Sequence, residues 1–135
     1  MMLLNGRLIM PQIVLQQRYT RSVDWYTLGV LVFEMLTGFP PFHQPDGNTA
    51  VLYERILQGP RYIQWPWPLL QPFATDIILK LMEGDPVKRY GKSAHGAGDV
   101  FVHPWFNEVD WERLKNKKIT APYLPKLHGD GDASA

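Results

Sequence analysis

The chain has 135 residues, 45% of them hydrophobic, 13% aromatic and 20% charged, and a formal net charge of +1. That is enough for one domain or a part of one, apolar enough to bury a core, and too evenly charged to draw nucleic acid or an anionic membrane. No cysteine is present, which excludes a disulfide scaffold, a cysteine zinc site and a thiol nucleophile.

Met1 to Met10 is apolar but interrupted by Asn5, Gly6 and Arg7, which makes a poor signal peptide. The longest apolar stretch, Leu28 to Leu36, contains Glu34 and falls far short of a bilayer span. Ser22 to Thr37 is expected to be one helix, with a polar start, no internal proline, and Gly38 then Pro40-Pro41 as a stop. Its apolar residues cover nearly every face, the pattern of a helix buried in the middle of a fold. Trp25, Leu31 and Met35 are therefore assigned to the core, together with Trp105.

A turn around Pro45-Asp46-Gly47 leads to a second helix, Thr49 to Gln58, with Val51, Leu52 and Ile56 at helical spacing and Gly59 as its end. Pro60 to Pro72 carries four prolines and the run Trp65-Pro66-Trp67-Pro68, and reads as an ordered loop. A third helix is expected over Pro72 to Met82. Phe73, Ile77, Ile78, Leu81 and Met82 would face inward, and Asp76, Lys80 and Glu83 outward. After a glycine-containing loop, Gly91 to Gly98, short helices are expected around Gly98 to Phe106 and Trp111 to Asn116. From Ala121 onward Pro, Gly and Asp dominate, as in a segment running extended over the surface. No stretch shows the alternation of a strand. The expected fold class is mainly α.

Familiar catalytic patterns fail on spacing. Gly91-Lys92-Ser93 resembles the end of a phosphate-binding loop, but Pro86 stands where that motif needs its first glycine. The four histidines, His43, His95, His103 and His128, lack the spacing of metal ligands. No serine stands in a nucleophile elbow. Arg113, Lys115, Lys117 and Lys118 suit a solvated helix end better than a nucleic-acid patch.

Three segments resemble the large lobe of eukaryotic protein kinases. Val23-Asp24-Trp25-Tyr26-Thr27-Leu28-Gly29, running on to Glu34-Met35 and Gly38-Phe39-Pro40-Pro41-Phe42, is similar to that lobe's central helix and the turn after it. Asp85-Pro86-Val87-Lys88-Arg89-Tyr90-Gly91 resembles the family's arginine turn. His103-Pro104-Trp105-Phe106 with Val109-Asp110-Trp111 resembles the AGC group, within it the cAMP-dependent enzymes, and Ala121 to Lys126 resembles the start of that group's C-terminal tail. The likeness divides the chain into a non-matching segment 1–10, a helical large-lobe subdomain 11–120 and a tail 121–135. It implies the helical portion of the kinase fold without the β-rich N-terminal lobe.

The resemblance implies a parent enzyme that transfers phosphate from ATP, with Mg, to serine or threonine. The His-Arg-Asp and Asp-Phe-Gly signatures that phosphoryl transfer uses in this family are absent from the sequence. The chain therefore reads as a truncated kinase, expected to be inactive by itself, with no catalytic residue, cofactor or metal site of its own. Met10-Pro11-Gln12 stands where the family has Ala-Pro-Glu.

By resemblance, Glu34 recognises an arginine of the peptide substrate, the alternative being an acid on the helix's wet side. Asp24 matches an acid that anchors the catalytic loop, and with no such loop here it reads as a first-turn acid favourable to the helix dipole. Arg89 matches the arginine that pairs with the glutamate of Ala-Pro-Glu, where this chain offers Gln12. Tyr53 matches a position that docks a regulatory subunit, with simple packing as the alternative. The implied partners are a protein substrate or regulatory subunit, with no nucleic acid and no membrane, in the cytoplasm and with the nucleus left open. The alternative function is a non-catalytic helical module that holds a regulatory partner through the second helix and the Trp65–Trp67 loop.

Overall fold

The computed structural model describes residues 3–4, 7–8, 11, 15, 21–42, 46–63, 65–66, 71–124, 126 and 129. Strands β1 (Leu3–Leu4) and β2 (Arg7–Leu8) pair antiparallel, Leu3 opposite Leu8 and Leu4 opposite Arg7. A two-residue ladder is too short to show alternation. Its one sequence signal is Asn5-Gly6, the dipeptide most favoured between hairpin strands. All other regular structure among the described residues is helical, as expected: the chain is mainly α.

Helix α1 spans Ser22–Thr37 and ends because Gly38 adopts φ 81°, from which its N–H donates to the Glu34 carbonyl at 2.8 Å. Helix α2, Thr49–Gln58, begins where the Asn48 side chain accepts from the N–H groups of Ala50 and Val51, and ends at Gly59 with φ 73°. A short 3₁₀ turn, Gly59–Tyr62, opens the proline-rich segment, which is thus less irregular than its prolines suggest. Helix α3, Pro72–Leu81, starts with proline at a position where its missing N–H costs nothing. The expected helix at 98–106 is split into α4 (Gly98–Phe101) and a 3₁₀ turn (Pro104–Phe106), because Pro104 cannot continue the hydrogen-bond ladder. The last helix, α5, covers Trp111–Lys115, its start capped by Asp110 Oδ1 accepting from Arg113 N–H at 2.9 Å.

The core forms where α1 crosses α3. Gly29 lets the two helices approach: a Cβ there would lie 2.8 Å from Met82 Cγ and 2.9 Å from Leu81 Cβ. One cluster gathers Val30, Phe33, Phe42, Ile56 and Met82 around this crossing, and a second holds Ile77, Leu81 and Val100. Trp105 and Leu28 pack against both.

Two burial expectations are corrected. Leu31, Met35 and Leu36 are 42%, 66% and 43% exposed, because the neighbouring helices cover only one side of α1. An all-round apolar pattern cannot say which side that is. On α3 the inward face is Ala74, Ile77, Ile78, Leu81 and Met82, a 3–4 spacing that leaves Phe73 one position off and exposed. Trp25 and Trp105 are half-buried and do pack against the core.

Candidate functional site

Among the described residues Arg89 is the largest fully buried side chain. The segment Asp85-Pro86-Val87-Lys88-Arg89 folds back as a turn, in which the Asp85 carbonyl accepts from the N–H groups of both Lys88 and Arg89 at 3.1 Å. Asp85 Oδ1 also accepts from Val87 N–H at 2.9 Å. The turn drives the guanidinium under the start of α1. There its Nε donates to the Glu83 carbonyl at 2.7 Å, Nη1 to the Ser22 carbonyl at 2.8 Å, and Nη2 to the Gly84 carbonyl at 3.3 Å. The guanidinium also sits 5.1 Å from the centre of the Tyr26 ring.

This is an anchor built from backbone oxygens. Burial pulls the guanidinium below its ordinary value, and Tyr26, Glu83 and Asp85 oppose that by favouring the cation. Gln12, the expected partner of Arg89, lies outside the described residues; neighbouring Pro11 is buried.

Asp24 is exposed in the first turn of α1. Glu34 is half-buried one turn before the helix end, ten residues away on the same helix. Tyr53 is half-buried and packs against the first core cluster. The structure therefore does not gather the sequence-derived residues into one site. Arg89 bonds Ser22, the first residue of α1, and the Glu83 and Gly84 carbonyls rather than Asp24, Glu34 or Tyr53.

A polar cluster that sequence reasoning missed joins α3 to the turn after α4. His103 is buried. Its Nδ1 accepts from Trp105 N–H at 3.2 Å, so Nε2 carries the proton and donates to Asp76 Oδ2 at 2.8 Å. The same oxygen accepts from Lys80 Nζ at 2.7 Å, and Lys80 lies 5.0 Å from the Tyr90 ring centre. Nothing in the sequence linked His103 to Asp76, 27 positions earlier; only the packing of α3 against the turn after α4 does.

The Lys80 hydrogen bond, with His103 adding to it, holds the Asp76 carboxyl below the usual carboxylate range. A depressed carboxyl contributes stability above its unfolded-state range and loses it as pH falls through its folded-state range. Because the Asp76 side chain is 47% exposed, solvent screening discounts the ion pair with Lys80, and the bond to buried His103 adds to what remains. Asp76→Asn is expected to cost about 1 kcal/mol at pH 7, a difference that shrinks by pH 3. Urea melts at the two pH values check this, and a difference that does not change with pH would contradict it.

Ser93, His95 and Asp99 also meet, but not as a nucleophile. Ser93 Oγ donates to Asp99 Oδ2, and His95 Nδ1 lies 3.3 Å from Asp99 Oδ1. Both contacts end on the carboxylate, so the imidazole does not stand against the hydroxyl as it does in a serine–histidine pair. Among the described residues no group of three or more His, Asp or Glu side chains is placed to hold a metal ion. Nor is any described helix long and apolar enough to cross a membrane.

The buried arginine beneath the first turn of α1 coincides with a family match. The protein kinase domain family matches residues 7–106, most of the chain. The chain belongs to the protein kinase domain family. It is 43% identical over 125 residues to a cAMP-dependent protein kinase catalytic subunit of Arthrobotrys oligospora, covering 92% of this chain and 23% of that protein. It is 41% identical over 128 residues to the human cAMP-dependent protein kinase catalytic subunit PRKX, covering 92% of this chain and 33% of that one. With the cAMP-dependent protein kinase type 3 of Saccharomyces cerevisiae it shares 42% identity over 127 residues, 93% of this chain and 31% of the yeast protein. The chain spans a third or less of the length of these curated relatives. Within the kinase domain family, α1, α3 and the arginine turn make up a helical part related to that of the cAMP-dependent enzymes.

Proposed function

We propose that the chain is the helical large-lobe part of an AGC-type serine/threonine protein kinase of the cAMP-dependent kind, and that these 135 residues alone are catalytically silent. The observation that carries this reading is the kinase-family match over α1 and the arginine turn in a sequence that holds neither His-Arg-Asp nor Asp-Phe-Gly. Phosphoryl transfer is almost wholly positioning and charge stabilisation, and the groups that position ATP and Mg in this family come from those signatures. The whole enzyme would use ATP and Mg to phosphorylate protein substrates in the cytoplasm, with Glu34 pairing an arginine of the substrate and 121–135 opening the C-terminal tail.

The expected result is no saturable ATP·Mg binding by calorimetry and no phosphate transfer to a basic serine peptide. Saturable nucleotide binding would overturn the inactive reading. A second reading, a non-catalytic module that docks a regulatory partner, draws on Tyr53, whose half-burial leaves part of the ring open on α2. It requires Tyr53→Ala to abolish capture of a regulatory subunit in protein that still melts cooperatively at a lowered temperature.

A further inference from the structure

Helix α5 closes on its own backbone. Lys117 takes φ 55°, its N–H donates to the Leu114 carbonyl at 3.0 Å, and Lys118 N–H reaches back to the Arg113 carbonyl at 2.8 Å. This pair of bonds ends a helix through a left-handed residue, and the chain leaves α5 at that point. From Ile119 to Leu124 every residue is exposed, and no backbone group there hydrogen-bonds among the described residues. Thr120 stands in this stretch, and among the described residues its hydroxyl has no hydrogen-bond partner.

The other described serine and threonine hydroxyls are placed differently. Ser22 and Thr75 are buried. Thr27 and Thr37 donate to carbonyls of their own helix, and Ser93 donates to the Asp99 carboxylate. Thr49 is half-buried at the start of α2, and the charged residue before it is Asp46.

Charge singles out Thr120 as well. Residues 113–120 hold Arg113, Lys115, Lys117 and Lys118 and no acid. Lys117 and Lys118 stand three and two positions before the hydroxyl, within about 10 Å along an extended chain. Arg113 Nη2 donates to the Lys118 carbonyl at 3.3 Å, which brings a further cation to the same turn. An enzyme that selects a peptide by its cations pairs them with carboxylates of its own and needs the hydroxyl and the backbone around it accessible. A phosphate added there would bring a charge of about −1.5 to −2 among cations rather than carboxylates.

We propose that Thr120 is a phosphorylation site for a lysine- and arginine-directed serine/threonine kinase. In the step, Thr120 Oγ1 attacks the γ-phosphorus of ATP bound by that enzyme. The Oγ1–P bond forms, the bond to ADP breaks, and the hydroxyl proton passes to the enzyme's base. The site rests on the surroundings of Thr120 alone and does not depend on reading the chain as part of a kinase.

Incubation of the 135-residue chain with ATP·Mg and a cAMP-dependent protein kinase catalytic subunit tests this, with tandem mass spectrometry to locate the phosphate. A single phosphate on Thr120 is expected, and Thr120→Ala, at an exposed position, should abolish it without loss of fold. Replacing Lys117 and Lys118 together by Gln should lower kcat/KM about tenfold or more, the worth of a charge-assisted contact. The folded chain and a peptide of residues 113–124 should react at rates within about threefold of each other, since no native hydrogen bond has to open. The proposal is overturned if the label persists in Thr120→Ala or never appears, or if the double lysine variant reacts as fast as the original chain. It is equally overturned if the folded chain lags the peptide by more than about tenfold, because the fold would then withhold the hydroxyl.

Discussion

Arg89→Leu is expected to destabilise the fold by about 3–5 kcal/mol, the range seen when one side of a buried charged contact is removed. The side chain is fully buried and donates to three carbonyls. The Glu83 and Gly84 carbonyls are part-buried and recover some hydration once the guanidinium is gone. The Ser22 carbonyl is buried, 67 positions away in sequence, and there the charged donor is lost with no water to replace it, although as the first residue of α1 it keeps its place in the helical hydrogen-bond ladder. Leucine fills part of the volume but supplies no donor.

Arg89→Lys separates charge from geometry. Its ammonium keeps the positive charge but cannot reach three carbonyls spread around a planar fork, so about half the loss should remain. Equilibrium urea melts of both variants give the answer. A loss under 1 kcal/mol for Arg89→Leu would show that the turn is held to α1 by other contacts.

Gly91→Ala should be nearly as damaging, for a different reason. Gly91 has φ 88°, a backbone region that costs an L-residue about 1–2 kcal/mol. Its added Cβ would also fall within the indole of Trp25, a rigid side chain packed against the second core cluster. Moving the indole means opening that cluster, so the combined loss should be about 3 kcal/mol or more.

The two components separate in a double-mutant cycle with Trp25→Ala. Without the indole, Gly91→Ala should cost only its backbone component, so the cycle should return a coupling of about 1–3 kcal/mol. Additive losses would mean that Trp25 does not occupy the space over Gly91. By contrast Gly84, where an added Cβ would meet nothing within 4 Å, should accept alanine with little change.

Local chemistry was legible in the sequence. The spans of α1 and α2 follow from signals within a few residues of each end: Gly38 with Pro40-Pro41 after one, the Pro45-Asp46-Gly47 turn before and Gly59 after the other. Each acts on backbone groups next to it, so no distant contact is needed to place it. The mainly α class and the kinase likeness are equally sequence properties, since they reside in helical periods and in the residues of the Asp85–Gly91 turn.

What the tertiary structure alone decided is which groups meet and which faces stay open. That Arg89 belongs to a turn is written in its neighbours. That it binds Ser22 is not, because the acceptor is a backbone carbonyl, which every residue possesses and no side chain announces. His103 and Asp76 were likewise unlinked until α3 and the turn after α4 came together. The exposure of Leu31 and Met35 on α1 was hidden for the opposite reason: a helix apolar on all sides carries no mark of the side its neighbours will leave uncovered. Helix ends are set by near neighbours along the chain, whereas buried partners and open faces are set by packing between segments far apart in it.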